Sequence, residues 1–85
     1  MPIISRFYGI VISMYFRDHP PPHFHVRYGE RRATVEIVSG LTDGTLPPRA
    51  RRMVEEWRSR HAGELLQCWE RARADGPLPS IAPLE

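Results

Sequence analysis

Eighty-five residues, 41% hydrophobic and 26% charged, allow one small globular core and no second one. No apolar run approaches the ~20 residues that a membrane span needs, and a net charge of +2 permits an anionic partner without demanding one. The lone Cys68 excludes an internal disulfide and suits a reducing cytoplasm, and all twelve basic residues are arginines.

The chain opens on "MPIISRFYGIVISMYF", an apolar stretch broken by Arg6 and Gly9 and followed by no small-residue cleavage site, so it reads as mature structure and not as a signal peptide. Its β-branched and aromatic residues predict two short strands, or one strand bent at Gly9. Three prolines, residues 20 to 22, then form a stiff approach that cannot donate to a sheet ladder. Beyond them "HFHVRY" alternates: Phe24, Val26 and Tyr28 share one face, and His23, His25 and Arg27 share the other.

Gly29-Glu30 suits a two-residue type II′ turn, and "ATVEIV" is the return strand. Closing that turn with Tyr28 opposite Arg31 places Val26 opposite Ala33, Phe24 opposite Val35, His25 opposite Thr34, His23 opposite Glu36 and Arg27 opposite Arg32. "SGLTDGTL" is turn-rich, with Asp43-Gly44 able to close a further hairpin.

"LPPRARRMVEEWRSRH" begins with prolines, as first helical turns often do, and carries Ala50, Met53, Val54 and Trp57 at helical spacing. Arg51 to Glu55, Arg52 to Glu56 and Glu56 to Arg60 are i,i+4 pairs on its solvent side. Gly63 reads as a helix stop, with a second helix carrying Leu65, Leu66, Trp69 and Ala72; one longer helix through Gly63 is the alternative. The proline-rich end "DGPLPSIAPLE" predicts an extended tail whose Leu78, Ile81 and Leu84 pack on the body or on a partner.

Chemistry concentrates in the histidine strand. A His-x-His pair projects two imidazoles from one face with Cβ atoms ~6.5 Å apart, a spacing that suits two ligands of one zinc, nickel or copper ion. His19 across the prolines, Glu36 across the hairpin, or His61 and Cys68 from the helical part would complete such a site. The same face also has the residue types of a metal-free RNA-cleaving site: His23 and His25 as base and acid, Glu36 orienting His23, and Arg27 and Arg32 as cations for the phosphate. The plain structural reading makes the two histidines strand residues whose ring nitrogens satisfy backbone groups of the proline loop.

Elsewhere the structural readings lead. Trp57 and Trp69 sit at apolar helix positions and read as core. Arg49, Arg51 and Arg52 read as a solvated face, with phosphate binding by Arg49 and Arg52 the second reading. Cys68 reads as a small buried hydrophobe and His61 as a cation near a helix C-terminus.

Taken in order, "MPIISRFYGIVISMYFRDHPPPHFHVRYGE", "LPPRA", "EEW" and "ELLQCW" resemble the bacterial DUF4160 family, a domain of unknown function, across essentially the whole chain. The resemblance implies a small stand-alone protein, often encoded beside a partner similar to the DUF2442 family, in an arrangement like a toxin–antitoxin pair. It transfers no established catalytic residue. The family's histidine segment maps onto His19, His23, Phe24, His25 and Val26, and its helix motif onto Leu46, Pro47, Arg49, Ala50, Glu56 and Trp57. Cys68 stands where family members commonly have asparagine.

These readings combine into an α+β domain over residues 1–85: strands in 1–38 forming an antiparallel sheet of three to four strands, two helices in 46–74 packed on one face, and an extended tail over 76–85. The leading functional expectation is a component, toxin included, of a toxin–antitoxin-like module that binds a protein or RNA. A transition-metal domain using His19, His23, His25 and Glu36, and a non-catalytic adaptor, are the alternatives. A homo-oligomer is compatible with all three, and a membrane role with none.

Overall fold

Five strands follow one another in an antiparallel meander: β1 (Ile3–Phe7), β2 (Ile10–Ser13), β3 (His23–Tyr28), β4 (Arg31–Glu36) and β5 (Thr42–Gly44). One long helix, α1 (Pro48–Arg73), follows them. The computed structural model describes residues 2–85. Tyr8 and Gly9 both take left-handed φ, 49° and 81°, as a type I′ hairpin turn between β1 and β2 requires. Gly29 at φ 60° makes the next turn, and the register of β3 on β4 is the one that turn dictates: His23 opposite Glu36, His25 opposite Thr34, and Arg27 opposite Arg32.

The alternation along β3 sorts the sheet's two faces. Phe24 and Val26 are buried with Ile10, Ile12, Ala33 and Val35, and α1 covers them with Ala50, Val54, Trp57, Leu65, Cys68, Trp69 and Ala72. Phe24 meets Trp57 edge-on at 5.6 Å, and Phe7 meets the same indole at 5.4 Å. These aromatic contacts fix the helix over the centre of the sheet.

Two expectations need correction. The sheet has five strands, not three or four, because Thr42–Gly44 pairs with Ala33, Thr34 and Val35. Gly44 makes that pairing feasible: at φ 117° it approaches β4 so closely that a Cβ there would lie 2.5 Å from the Arg32 carbonyl oxygen.

The second correction concerns the helices, of which there is one and not two. Gly63 does not adopt the left-handed conformation of a helix stop and has open space around it, so the chain passes straight through. The helix instead kinks at His61 (φ −121°, ψ 20°), where His61 Nδ1 lies 2.7 Å from Glu64 Oε1. His61 therefore stands at the kink inside α1, where the backbone leaves helical φ/ψ, and not at the end of the whole helix. The true end is a Schellman closure: Asp75 at φ 58° donates its N–H to Ala72 O and Gly76 donates to Arg71 O. Of the three expected i,i+4 pairs only Glu56–Arg60 forms among the described residues, since Glu55 turns to Arg58.

The tail packs on the body. Ile81 donates its N–H to Ile4 O of β1 at 2.8 Å, Trp57 Nε1–H donates to Ala82 O at 2.8 Å, and Ile81 and Leu84 are buried. No described helix is long and apolar enough to cross a membrane.

Candidate metal centre

After β2 the chain runs through residues 14–22, with a cis peptide bond between Pro20 and Pro21, and returns to start β3. This loop sets Asp18 beside the first histidines of the strand. Asp18 Oδ2 lies 3.0 Å from His23 Nε2 and 3.1 Å from His25 Nε2. One donor atom from each of the three residues falls in a group whose members all lie within 4.8 Å of one another.

Around this group the other contacts are specific. His23 Nδ1 lies 2.8 Å from Pro21 O, and the His23 ring, almost fully buried, packs 5.3 Å from the Trp69 indole. His25 is stacked on Tyr15 at 4.1 Å, with the rings 14° from parallel. The exposed His19 uses the carboxylate's other oxygen: its Nδ1 lies 3.0 Å from Asp18 Oδ1, and its backbone N–H donates to the same atom.

An accounting of protons makes the arrangement informative. A carbonyl oxygen can only accept, so His23 Nδ1 carries a hydrogen and donates it to Pro21 O. With one proton on the ring, His23 Nε2 presents a lone pair to Asp18 Oδ2, and two acceptors would face each other at 3.0 Å. Either a second proton on His23 or a cation shared by the two atoms resolves that contact. An imidazole that ligates a metal through one nitrogen commonly gives its other N–H to a backbone carbonyl, the role that Pro21 O fills.

The charge on Asp18 is secured by its neighbours. Burial, the largest influence, pushes its carboxyl up, but the His25 hydrogen bond, the His19 backbone N–H and the charges of His23 and His19 together outweigh burial and hold it below the usual carboxylate range. Asp18 is therefore an anion at neutral pH, as a metal ligand must be.

The expected site residues separate into two sets. His23 and His25 come together as the spacing implied, and His19 approaches through Asp18 without joining the group itself. Glu36 is opposite His23 in register, but its carboxylate accepts Ser39 Oγ–H at 2.9 Å and orients no histidine. The histidine face is also less open than expected, because Trp69 covers His23. Arg27 and Arg32 stand further along the same outer face, whereas Arg49 and Arg52 lie on α1 away from it. His61 and Cys68 belong to the helix and are not part of the group. The residue that the sequence reading missed is Asp18. Its signal was a carboxylate adjoining the proline turn, seven residues before His25.

A protein-family model described as "Domain of unknown function (DUF4160)" matches residues 9–70, which hold the whole Asp18–His23–His25 group. The chain belongs to the DUF4160 family. No curated protein and no solved structure matches this DUF4160 domain.

The donors of the Asp18–His23–His25 group are chemically suited to a divalent transition ion. Two imidazole nitrogens and a carboxylate oxygen satisfy zinc, nickel or copper, and ligands at bonds of about 2.0–2.1 Å around a tetrahedral ion sit ~3.3 Å apart, close to the separations from Asp18 Oδ2. Three protein ligands would leave a coordination position open. A cleft of about 660 Å³, lined by Tyr15, Asp18, His19, His23, His25 and Glu36, meets the group from the solvent side.

Proposed function

We propose that this DUF4160 domain binds one divalent transition ion, zinc, nickel or copper, through Asp18 Oδ2, His23 Nε2 and His25 Nε2. The observation that carries the reading is the His23 ring: Pro21 O holds one nitrogen, and the other faces a carboxylate oxygen at 3.0 Å. A cation there takes the place that a second proton on His23 would otherwise fill, and neutralises a partly buried anion. Three ligands and an open side are the pattern of a centre that meets a water or a substrate, whereas a purely structural zinc is normally enclosed by four. The test is metal analysis of protein purified without a histidine tag, followed by titration of the chelator-stripped chain. Near-stoichiometric metal supports the centre. A chain that neither carries nor takes up an ion leaves Asp18 and the histidines as a metal-free acid/base cluster.

The toxin–antitoxin-like role is a second proposal, supported by the family resemblance and by no residue of the site. It requires that the protein slow growth on induction, or bind the product of a neighbouring gene. If neither is seen, that role falls while the metal centre stands.

A further inference from the structure

The outer face of the sheet carries a second group that the metal centre does not use. The strand registers align Arg6 with Val11, Val11 with Arg27 and Arg27 with Arg32, a single row across β1 to β4. Side chains directly opposite on neighbouring strands have Cβ atoms about 5 Å apart, and like charges in that position repel. Arg27 and Arg32 are nevertheless exposed neighbours, and neither makes an ion pair among the described residues. Asp43, the carboxylate nearest in the pattern, is opposite Thr34 and pairs with neither arginine.

A groove of about 260 Å³ is lined by Arg27 and Arg32 together with Val11, Tyr15, His25, Thr34 and Asp43. Tyr15, His25, Thr34 and Asp43 also line the cleft over the Asp18 group, so the two depressions adjoin one another. His25 and Arg27 are two residues apart on β3, about 7 Å along the strand. A ligand held by the arginines therefore extends naturally toward the imidazoles.

We propose that Arg27 and Arg32 form an oxyanion site for the phosphoryl group of a phosphate ester, either a small molecule or an RNA strand. Paired guanidinium groups suit a tetrahedral oxyanion, because each offers two parallel N–H donors, and the bound charge removes the repulsion between them. Arg6, one strand beyond Val11, adds field at longer range. The site stands on the arginine row and needs no metal at Asp18, so it can succeed or fail independently of the centre proposed above.

The test uses the full chain, as purified and after chelator treatment, with inorganic phosphate and a short single-stranded RNA as probes. Phosphate should raise the melting temperature of the wild type in both preparations, with an effect that weakens as salt rises. R27Q/R32Q should fold with a melting temperature at least equal to that of the wild type without phosphate, because the repulsion is gone. Its affinity for the probes should fall about tenfold or more, as loss of charge-assisted hydrogen bonds dictates. RNA binding much stronger than phosphate binding, and lost in R27Q/R32Q, identifies a strand as the source of the phosphoryl group; equal binding per phosphate identifies a small ester. The proposal is overturned if neither probe binds at millimolar concentration, or if R27Q/R32Q binds them as the wild type does.

Discussion

The Pro21 carbonyl oxygen takes the Nδ1 hydrogen of His23 at 2.8 Å, two residues along the chain, and so turns the ring's other nitrogen toward Asp18. The link ties the proline loop to the first residue of β3 and sets the chemistry of the centre. It also ranks the neighbours. Asp18→Asn, His23→Ala and His25→Ala should each lower metal affinity by about a hundredfold or more, since even removing a residue that only orients a ligand costs 10- to 100-fold. His19→Ala should cost about tenfold or less, and Glu36→Gln should cost nothing. Competition against a chromophoric chelator gives the order, and an equal loss in Glu36→Gln and Asp18→Asn would contradict the assignment.

Gly63 offers a test of the continuous helix. It is helical and has open space where a Cβ would stand, so Gly63→Ala should stabilise the protein by about 0.5–1 kcal/mol in urea unfolding. Destabilisation would instead restore the helix stop that the sequence suggested.

Gly44→Ala should behave in the opposite way. A positive φ and the Arg32 carbonyl oxygen both oppose a side chain, and the loss should be at least about 1 kcal/mol, with β5 detaching first in hydrogen exchange.

Cys68 reports on the tail. Burial pushes its thiol above the usual range, with Arg71 opposing, and its Sγ lies 3.9 Å from Pro79 O under the docked segment. The unfolded thiol ionises near pH 8.5 while the folded one does not, so this contribution to stability is complete below that pH and declines as pH rises toward the folded value. At neutral pH Cys68 should resist thiol reagents in the intact chain and react readily once residues 78–85 are removed. Equal reactivity in both would show that the tail does not cover it.

The periodic parts of the molecule were legible in the sequence. A two-residue turn at Gly29-Glu30 and a period of two dictated the whole β3–β4 register, and with it the His-x-His pair and the opposed arginines. Trp57 and Trp69 followed from helical spacing, and both are core residues. Asp18 was not legible, because the path of a proline loop has no period and its carboxylate meets His25 only once the turn is made. Glu36 shows the limit of register: it places residues opposite one another, but the hydrogen bond to the Glu36 carboxylate comes from Ser39, in the following turn. The helix break was placed at Gly63 and not at the His61 kink because a glycine signals a stop only when it is left-handed, and sequence does not give φ.

The central claim is that Asp18, His23 and His25 hold an ion, and metal stoichiometry tests it most directly. Elemental analysis of tag-free wild type and Asp18→Asn, each after exposure to zinc, nickel and copper and removal of free ion, should give close to one equivalent of one metal in the wild type and little in the variant. A wild type that retains no metal, or an Asp18→Asn chain that retains as much, would contradict the account.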